Sequence, residues 1–294
     1  MMLHKPYNRR RLVVELAAAV AVGHALTSTA SCNPAPTVAV KPVRWMFHRG
    51  PGVAAVAADP RASRALDSTQ PYVLKKGDDR FVIPPTWNAI PVTPFQAFGK
   101  LQAAIKQRAL APDIKGVLYD YEKWQFTPIE EQRNPLPYVK QAFELVRGQG
   151  LRFLTSPSAN LVKVMAPETG RSDAEIFDAY LRLGIAADGA RYADAYVAQG
   201  QRSLQSTEVF AHFIQQAAAQ ARRANPNVEV IGNLSTNPLG RRVTADDLMR
   251  AIDATREFVD GYWMNIPTRN AYSPGVNEYR PDIAIEVIRR VAGQ

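Results

Sequence analysis

A single cysteine, Cys32, stands among the 294 residues, so the chain can hold no intramolecular disulfide. Its stability must come from a buried core, for which it is long enough. Histidine is nearly as scarce, with four in all. His4 and His24 fall near the N-terminus and His212 sits inside a helical pattern, which leaves His48 alone near a strand end. That is too few ligands for a histidine-built metal site. No glycine-rich G-x-G-x-x-G turn follows the first strand candidate, whose loop reads His48-Arg49-Gly50-Pro51-Gly52, and no G-x-S-x-G elbow accompanies His48. Dinucleotide binding and a serine triad therefore lack their sequence marks, and no cofactor is expected.

A long hydrophobic run is also missing. Leu12 to Leu26 is mostly apolar, but it is short and interrupted by Glu15 and His24, so it reads as a secretory h-region and not as a membrane span. Asn8-Arg9-Arg10-Arg11 before it supplies a basic n-region, and the arginine pair also permits twin-arginine export. Thr29-Ala30-Ser31 then lead to Cys32. This is the setting of a lipobox, with cleavage before the cysteine and acylation of its thiol, although Thr29 stands where leucine is usual. Ordinary signal cleavage is the plainer alternative. Residues 1–31 are thus expected to form a signal peptide and 32–42, rich in Pro, Ala and Thr, a flexible tether. The expected location is outside the cytoplasm, in the cell envelope through a lipid on Cys32 or extracellular.

The formal charge of +9 includes four leader bases (Lys5, Arg9, Arg10, Arg11) and one leader acid (Glu15). The remaining +6 is mild and spread along the chain. It suits an anionic envelope surface and does not form a nucleic-acid stripe.

From residue 43 onward, apolar runs of three to eight residues alternate with amphipathic stretches. Strand candidates are Val43–Phe47, Tyr72–Leu74, Arg80–Ile83, Ile114–Tyr119, Leu151–Thr155, Ala193–Gln199, Val228–Asn233 and Val259–Ile266. Lys76-Gly77-Asp78-Asp79 between two of them resembles a hairpin turn. Helices are expected over Phe95–Leu110, after Thr127-Pro128 and Asn134-Pro135, over Ser206–Ala224 and over Pro281–Val291. Ser172 with Glu175 and Thr244 with Asp247 are spaced as capping boxes. Short connections between alternating strands and helices argue parallel βαβ units. Seven or eight of them over 43–294 predict a single (β/α)8 TIM-type barrel domain, with an open doubly wound sheet as the runner-up.

In a barrel the strand ends converge on one mouth. Those of this chain bring His48, Trp124, Asn160, Gln199, Asn233, Trp263 and Asn265 together with two acids, Asp120 and Glu122. Side chains two apart on a strand share a face, so the two carboxylates stand side by side after Leu118. Like charge raises one of their pKa values, which gives a protonated acid beside an ionised partner, as glycosidic cleavage requires. Amides, carboxylates and tryptophan faces also suit sugar hydroxyls and the apolar side of a pyranose. A carboxylate-only cation site at the pair lacks further oxygen ligands. Pairing with Lys or Arg inside the barrel is the structural alternative for the two acids.

Ile114-Lys115-Gly116-Val117-Leu118-Tyr119-Asp120-Tyr121-Glu122 is similar to the fourth-strand signature of family 18 glycoside hydrolases, the chitinase-like barrels. That signature runs apolar-Asp-Gly-apolar-Asp-apolar-Asp-x-Glu. Gly116, Asp120 and Glu122 match, whereas Lys115 and Leu118 stand where the family has its first two acids. The resemblance implies Glu122 as proton donor to the glycosidic oxygen and Asp120 as the group orienting the substrate's acetamido nucleophile. It further implies Tyr196 as the tyrosine assisting that group and Trp263 as the floor of the sugar subsite. The expectation is an exported, monomeric glycoside hydrolase-like barrel whose partner is a polysaccharide or oligosaccharide. A non-catalytic glycan-binding lipoprotein on a degenerate barrel is the alternative, and a purely structural envelope protein is a third reading.

Overall fold

The computed structural model describes residues 43–75, 81–268 and 277–293; the leader, the tether and Cys32 lie outside them. Eight parallel strands, β1 (Arg44–His48), β2 (Tyr72–Leu74), β3 (Ile90–Phe95), β4 (Gly116–Tyr119), β5 (Arg152–Thr155), β6 (Ala195–Ala198), β7 (Glu229–Ser235) and β8 (Gly261–Asn265), pair in sequence order and close on themselves. Closure falls between β8 and β1, where Arg44 registers with Gly261 and Met46 with Trp263. Gly261 is required there: a Cβ on it would lie 1.9 Å from the Arg44 carbonyl oxygen. The chain is a (β/α)8 TIM barrel.

Helices α1 (Pro51–Ala58) and α2 (Pro60–Ala65) follow β1, and α3 (Phe98–Lys106) follows β3. Next come α4 (Ile129–Arg133), α5 (Leu136–Arg147), α6 (Val162–Met165), α7 (Asp173–Arg182), α8 (Ile185–Ala190), α9 (Thr207–Ala224), α10 (Ala245–Asp253) and α11 (Pro281–Ala292). Both expected capping boxes form, Ser172–Glu175 at α7 and Thr244–Asp247 at α10. Each satisfies two N-terminal donors that the helix itself leaves unpaired.

Strand side chains alternate between two apolar layers. One face of each strand meets the helices through residues such as Phe47, Tyr119, Phe153, Tyr196 and Tyr262. The other fills the barrel with Met46, Leu74, Val92, Leu118, Leu154, Val197 and Ile231, all of them buried. A fully buried Leu or Ile side chain contributes about 1.5–3 kcal/mol, so this plug holds the strand register. It also fixes which side chains emerge above it at the C-terminal ends.

The prolines of β3 hid it in the sequence, since Pro within a run argues against a strand. Proline gives up only its donor, and the Pro91 carbonyl still accepts from Lys115 N–H at 2.8 Å in the β3–β4 ladder. The strand predicted over Arg80–Ile83 is not formed at 81–83, and the hairpin turn at 76–79 lies outside the described residues. The helix expected from Phe95 begins at Phe98, because Phe95 is spent on β3.

Candidate active site

The interior face of β4 runs Gly116, Leu118, and past the last strand residue it continues as Asp120 and Glu122. Asp120 N–H donates to the Phe95 carbonyl (2.8 Å), and Ser156 and Ser158 N–H donate to the carbonyls of Tyr119 and Tyr121 (3.0 and 3.1 Å), so the ladder persists to the mouth. Both acids line a cavity of about 520 Å³ at this end of the barrel. Into it also project His48 from β1, Gln96 after β3, Trp124 after β4, Asn160 after β5, Gln199 after β6, Asn233 of β7 and Trp263 and Asn265 of β8.

Glu122 is the perturbed group. Its carboxyl is pushed up to about 8, first by enclosure in the barrel wall and then by the adjacent Asp120 charge; hydrogen bonds from Gln199 and Ser158 oppose the rise only in part. Among the described residues no Lys or Arg forms an ion pair with Glu122. At neutral pH it therefore holds a proton at the edge of an open cavity. One amide spans the pair: Gln199 Nε2 lies 3.5 Å from an oxygen of Asp120 and 3.5 Å from an oxygen of Glu122. The same nitrogen donates to Ser156 Oγ at 2.8 Å and to the Ser156 carbonyl at 3.2 Å. A carbonyl can only accept, which fixes the orientation of the Gln199 amide. Its oxygen accepts in turn from Gln201 Nε2 at 3.4 Å.

The loop after Glu122 is tied down by one hydroxyl. Thr127 Oγ1 accepts from Glu122 N–H (3.2 Å) and from Trp124 Nε1 (2.9 Å), and donates to the Gln96 carbonyl (2.7 Å). Buried Gln132 of α4 donates to the carbonyls of Trp124 (2.9 Å) and Thr127 (2.6 Å) from the other side. Across the cavity, the Trp263 ring sits 4.9 Å from that of His48, at a 58° tilt. Gly52 in the first turn of α1 leaves room for Ile266, whose Cβ would lie 2.7 Å from a Cβ at that position. On the rim, Arg202 is held by Asp173 (2.7 Å) and Asn160 (3.0 Å).

Nine of the ten predicted site residues in the barrel line this cavity. Tyr196 is the exception, and the role that the resemblance implies for it is corrected here. The strand alternation that sends Val197 and Gln199 inward sends Tyr196 outward, where it is fully buried in the helix-facing layer. Its hydroxyl lies 2.9 Å from that of Tyr180, away from the carboxylates. Gln96 and Arg202 were missed in the sequence. Gln96 follows the strand the prolines concealed, and Arg202 stands in a short turn, Gln201–Ser203, that carries no motif.

No family model matches the chain and no curated protein matches it. Solved structures that align with it include a proposed alpha-L-fucosidase from Bacteroides thetaiotaomicron, 10% identical, covering 86% of this chain and 95% of that one at a TM-score of 0.46. The spore cortex-lytic enzyme SleL of Bacillus megaterium is 9% identical, with 83% and 73% covered at 0.45. The carboxyl transferase domain of Rhizobium etli pyruvate carboxylase is 9% identical, with 86% and 47% covered at 0.42. A fold does not by itself fix a function, which lives in the site.

Proposed function

We propose that this chain is an exported, glycoside hydrolase-like barrel acting on an envelope or environmental glycan, with Glu122 as general acid and Asp120 as its ionised partner. The observation that carries the proposal is the raised pKa of Glu122, which has no ion pair with Lys or Arg among the described residues, in a cavity it shares with a second carboxylate. A protonated Glu122 gives its proton to the glycosidic oxygen, and Asp120 stabilises the positive charge that grows at the anomeric carbon. In the family 18 variant of this scheme Asp120 instead orients an acetamido group of the substrate, whose oxygen attacks the anomeric carbon. Trp124 and Trp263, which line the cavity, would contact the sugar. The leader pattern supports export, and Cys32 is the proposed lipid anchor.

The test is hydrolysis of chitin-type, peptidoglycan, glucan and mannan oligosaccharides by the protein and by Glu122→Gln. Turnover of one substrate that collapses in Glu122→Gln supports the acid role; equal turnover in both proteins rejects it.

A second reading, a non-catalytic glycan-binding barrel, is favoured by one observation. Leu118, where the family 18 signature has an acid, lies in the apolar interior directly below Asp120 on the same face. Asp120 thus rests on a hydrocarbon side chain and has no carboxylate beneath it to share a proton. Tight binding of an oligosaccharide without turnover identifies this case.

A further inference from the structure

We infer that the cavity selects an uncharged sugar unit with free hydroxyls over its uronate, sulfate or phosphate counterpart, with Gln201 and Asn237 as specificity-determining residues; this rests on the glycan reading above. Three observations converge.

The first is the distribution of charge. Asp120 and Glu122 occupy the floor, and the arginines among the described lining residues are Arg49 and Arg202. Both are engaged within the protein. Arg202 is engaged by Asp173 and Asn160, and Arg49 donates to the Phe81 carbonyl. No lysine lines the described wall. An anionic ligand would enter against the Asp120 charge, which makes its desolvation costly.

The second is the chemistry of the wall. Seven carboxamides line the cavity: Gln96, Asn160, Gln199, Gln201, Asn233, Asn237 and Asn265. Planar amides match hydroxyl groups, which both donate and accept.

The third is what two of these amides lack. Gln199 is fixed by the Ser156 carbonyl, so its oxygen must take its bond from Gln201 Nε2, and Gln201 Oε1 faces the other way. Asn237 Nδ2 donates to Asn277 Oδ1 at 2.9 Å, and Asn277 Nδ2 donates to the Gly240 carbonyl, which fixes Asn237 as well. Gln201 Oε1 and Asn237 Oδ1, together with Asn233 Oδ1, are buried acceptors with no donor among the described residues. Trp263 Nε1 is a buried donor with no acceptor. Orphaned buried polar groups are disfavoured in a folded protein. Adjacent sugar hydroxyls supply hydrogens to the amide oxygens and a lone pair to the indole, whereas a carboxylate or phosphate has no hydrogen to give.

The experiment is calorimetric titration of the full chain, and of Glu122→Gln, with oligosaccharides in matched pairs. The pairs are glucan and glucuronan, galactan and galacturonan, mannan and mannuronan. The expected result is binding at least about 10-fold tighter for the neutral member of whichever pair binds. A 10-fold loss of that binding in Gln201→Met or Asn237→Leu is also expected. Neutral ligands lacking one hydroxyl, titrated into the unaltered protein, give the same readout without any substitution, and one of them should lose about 10-fold. Tighter binding of the uronate, or deoxy ligands that all bind as well as the parent, would overturn the inference while leaving the glycan reading standing. If no member of any pair binds either protein, both readings fall.

Discussion

The two ends of this barrel are built from the same kinds of side chain and do opposite things with them. At the N-terminal end the inward residues of β1, β2, β5 and β7 are Arg44, Tyr72, Arg152 and Glu229. The guanidinium carbons of Arg44 and Arg152 lie 5.4 and 5.5 Å from the centre of the Tyr72 ring. Glu229 accepts from the Tyr72 hydroxyl at 2.6 Å and pairs with Arg152 at 3.4 Å and Arg44 at 3.7 Å. Charges and hydroxyl satisfy one another, and the floor is closed. At the C-terminal end, two acids sit beside each other with a bridging amide, and several buried polar atoms have no hydrogen-bond partner among the described residues. The same barrel therefore spends its polar groups on closure at one end and keeps them unsatisfied at the other. This is the asymmetry expected where one face of a barrel gives stability and the other gives chemistry.

The sharpest way to break this comparison is to remove chemistry from the top alone. Glu122→Gln keeps the shape and removes the transferable proton, and is expected to lower turnover about 10²–10⁴-fold. Steady-state hydrolysis checks this; a loss under 10-fold would move the acid elsewhere. The wild-type rate is also expected to fall as pH rises through about 8, where Glu122 loses its proton. Stability follows with a defined sign. The folded state retains a proton that the unfolded chain releases near its ordinary 4.5, so wild-type stability falls as pH rises from 4.5 to about 8 and levels off above that. The Tm of Glu122→Gln should gain on the wild type across this window.

The next effect in size is on the joint between acid and aromatic. Thr127→Val strands the Trp124 indole N–H, the Glu122 N–H and the Gln96 carbonyl, at a cost of about 1–3 kcal/mol. Turnover per folded molecule should drop about 10-fold, with rescue by Thr127→Ser, as read from urea unfolding and kinetics together. At the floor, Glu229→Gln removes the charge shared by Arg44 and Arg152. It is expected to cost about 1–2 kcal/mol in urea unfolding with turnover per folded molecule unchanged. If activity fell with it, the two ends would not be independent. The smallest effect is expected from Tyr196→Phe, which leaves the Tyr180 hydroxyl short of one bond and costs about 1 kcal/mol without altering turnover.

The barrel was legible in the sequence because its strands are short apolar runs set between helix patterns, and most of them form within a residue or two of where the runs lie. β3 was hidden because two of its six residues are proline, and local propensity misjudges a strand whose carbonyls do the pairing. The acid pair was legible because alternation is strict: Leu118, Asp120 and Glu122 point inward as spacing alone requires. The same rule places Tyr196 on the opposite face from Gln199, and a family pattern had drawn it to the wrong side. The Thr127 and Gln132 bonds that fix Trp124 had no signature, since they depend on how the loop between β4 and α4 folds back toward the residue after β3.

Thr127 has one hydrogen to give and two lone pairs, and all three are in use. A joint with no spare valence is a mechanical constraint. Under the proposed function, Trp124 cannot swing away to admit a bulkier sugar without pulling on the backbone of Glu122, so substrate shape and acid position would move as one body. Widening this cavity at Trp124 would misplace the proton before it relaxed the specificity. Variants with a broader substrate range should therefore first arise on the β7–β8 side, where no such joint ties the wall to the acid.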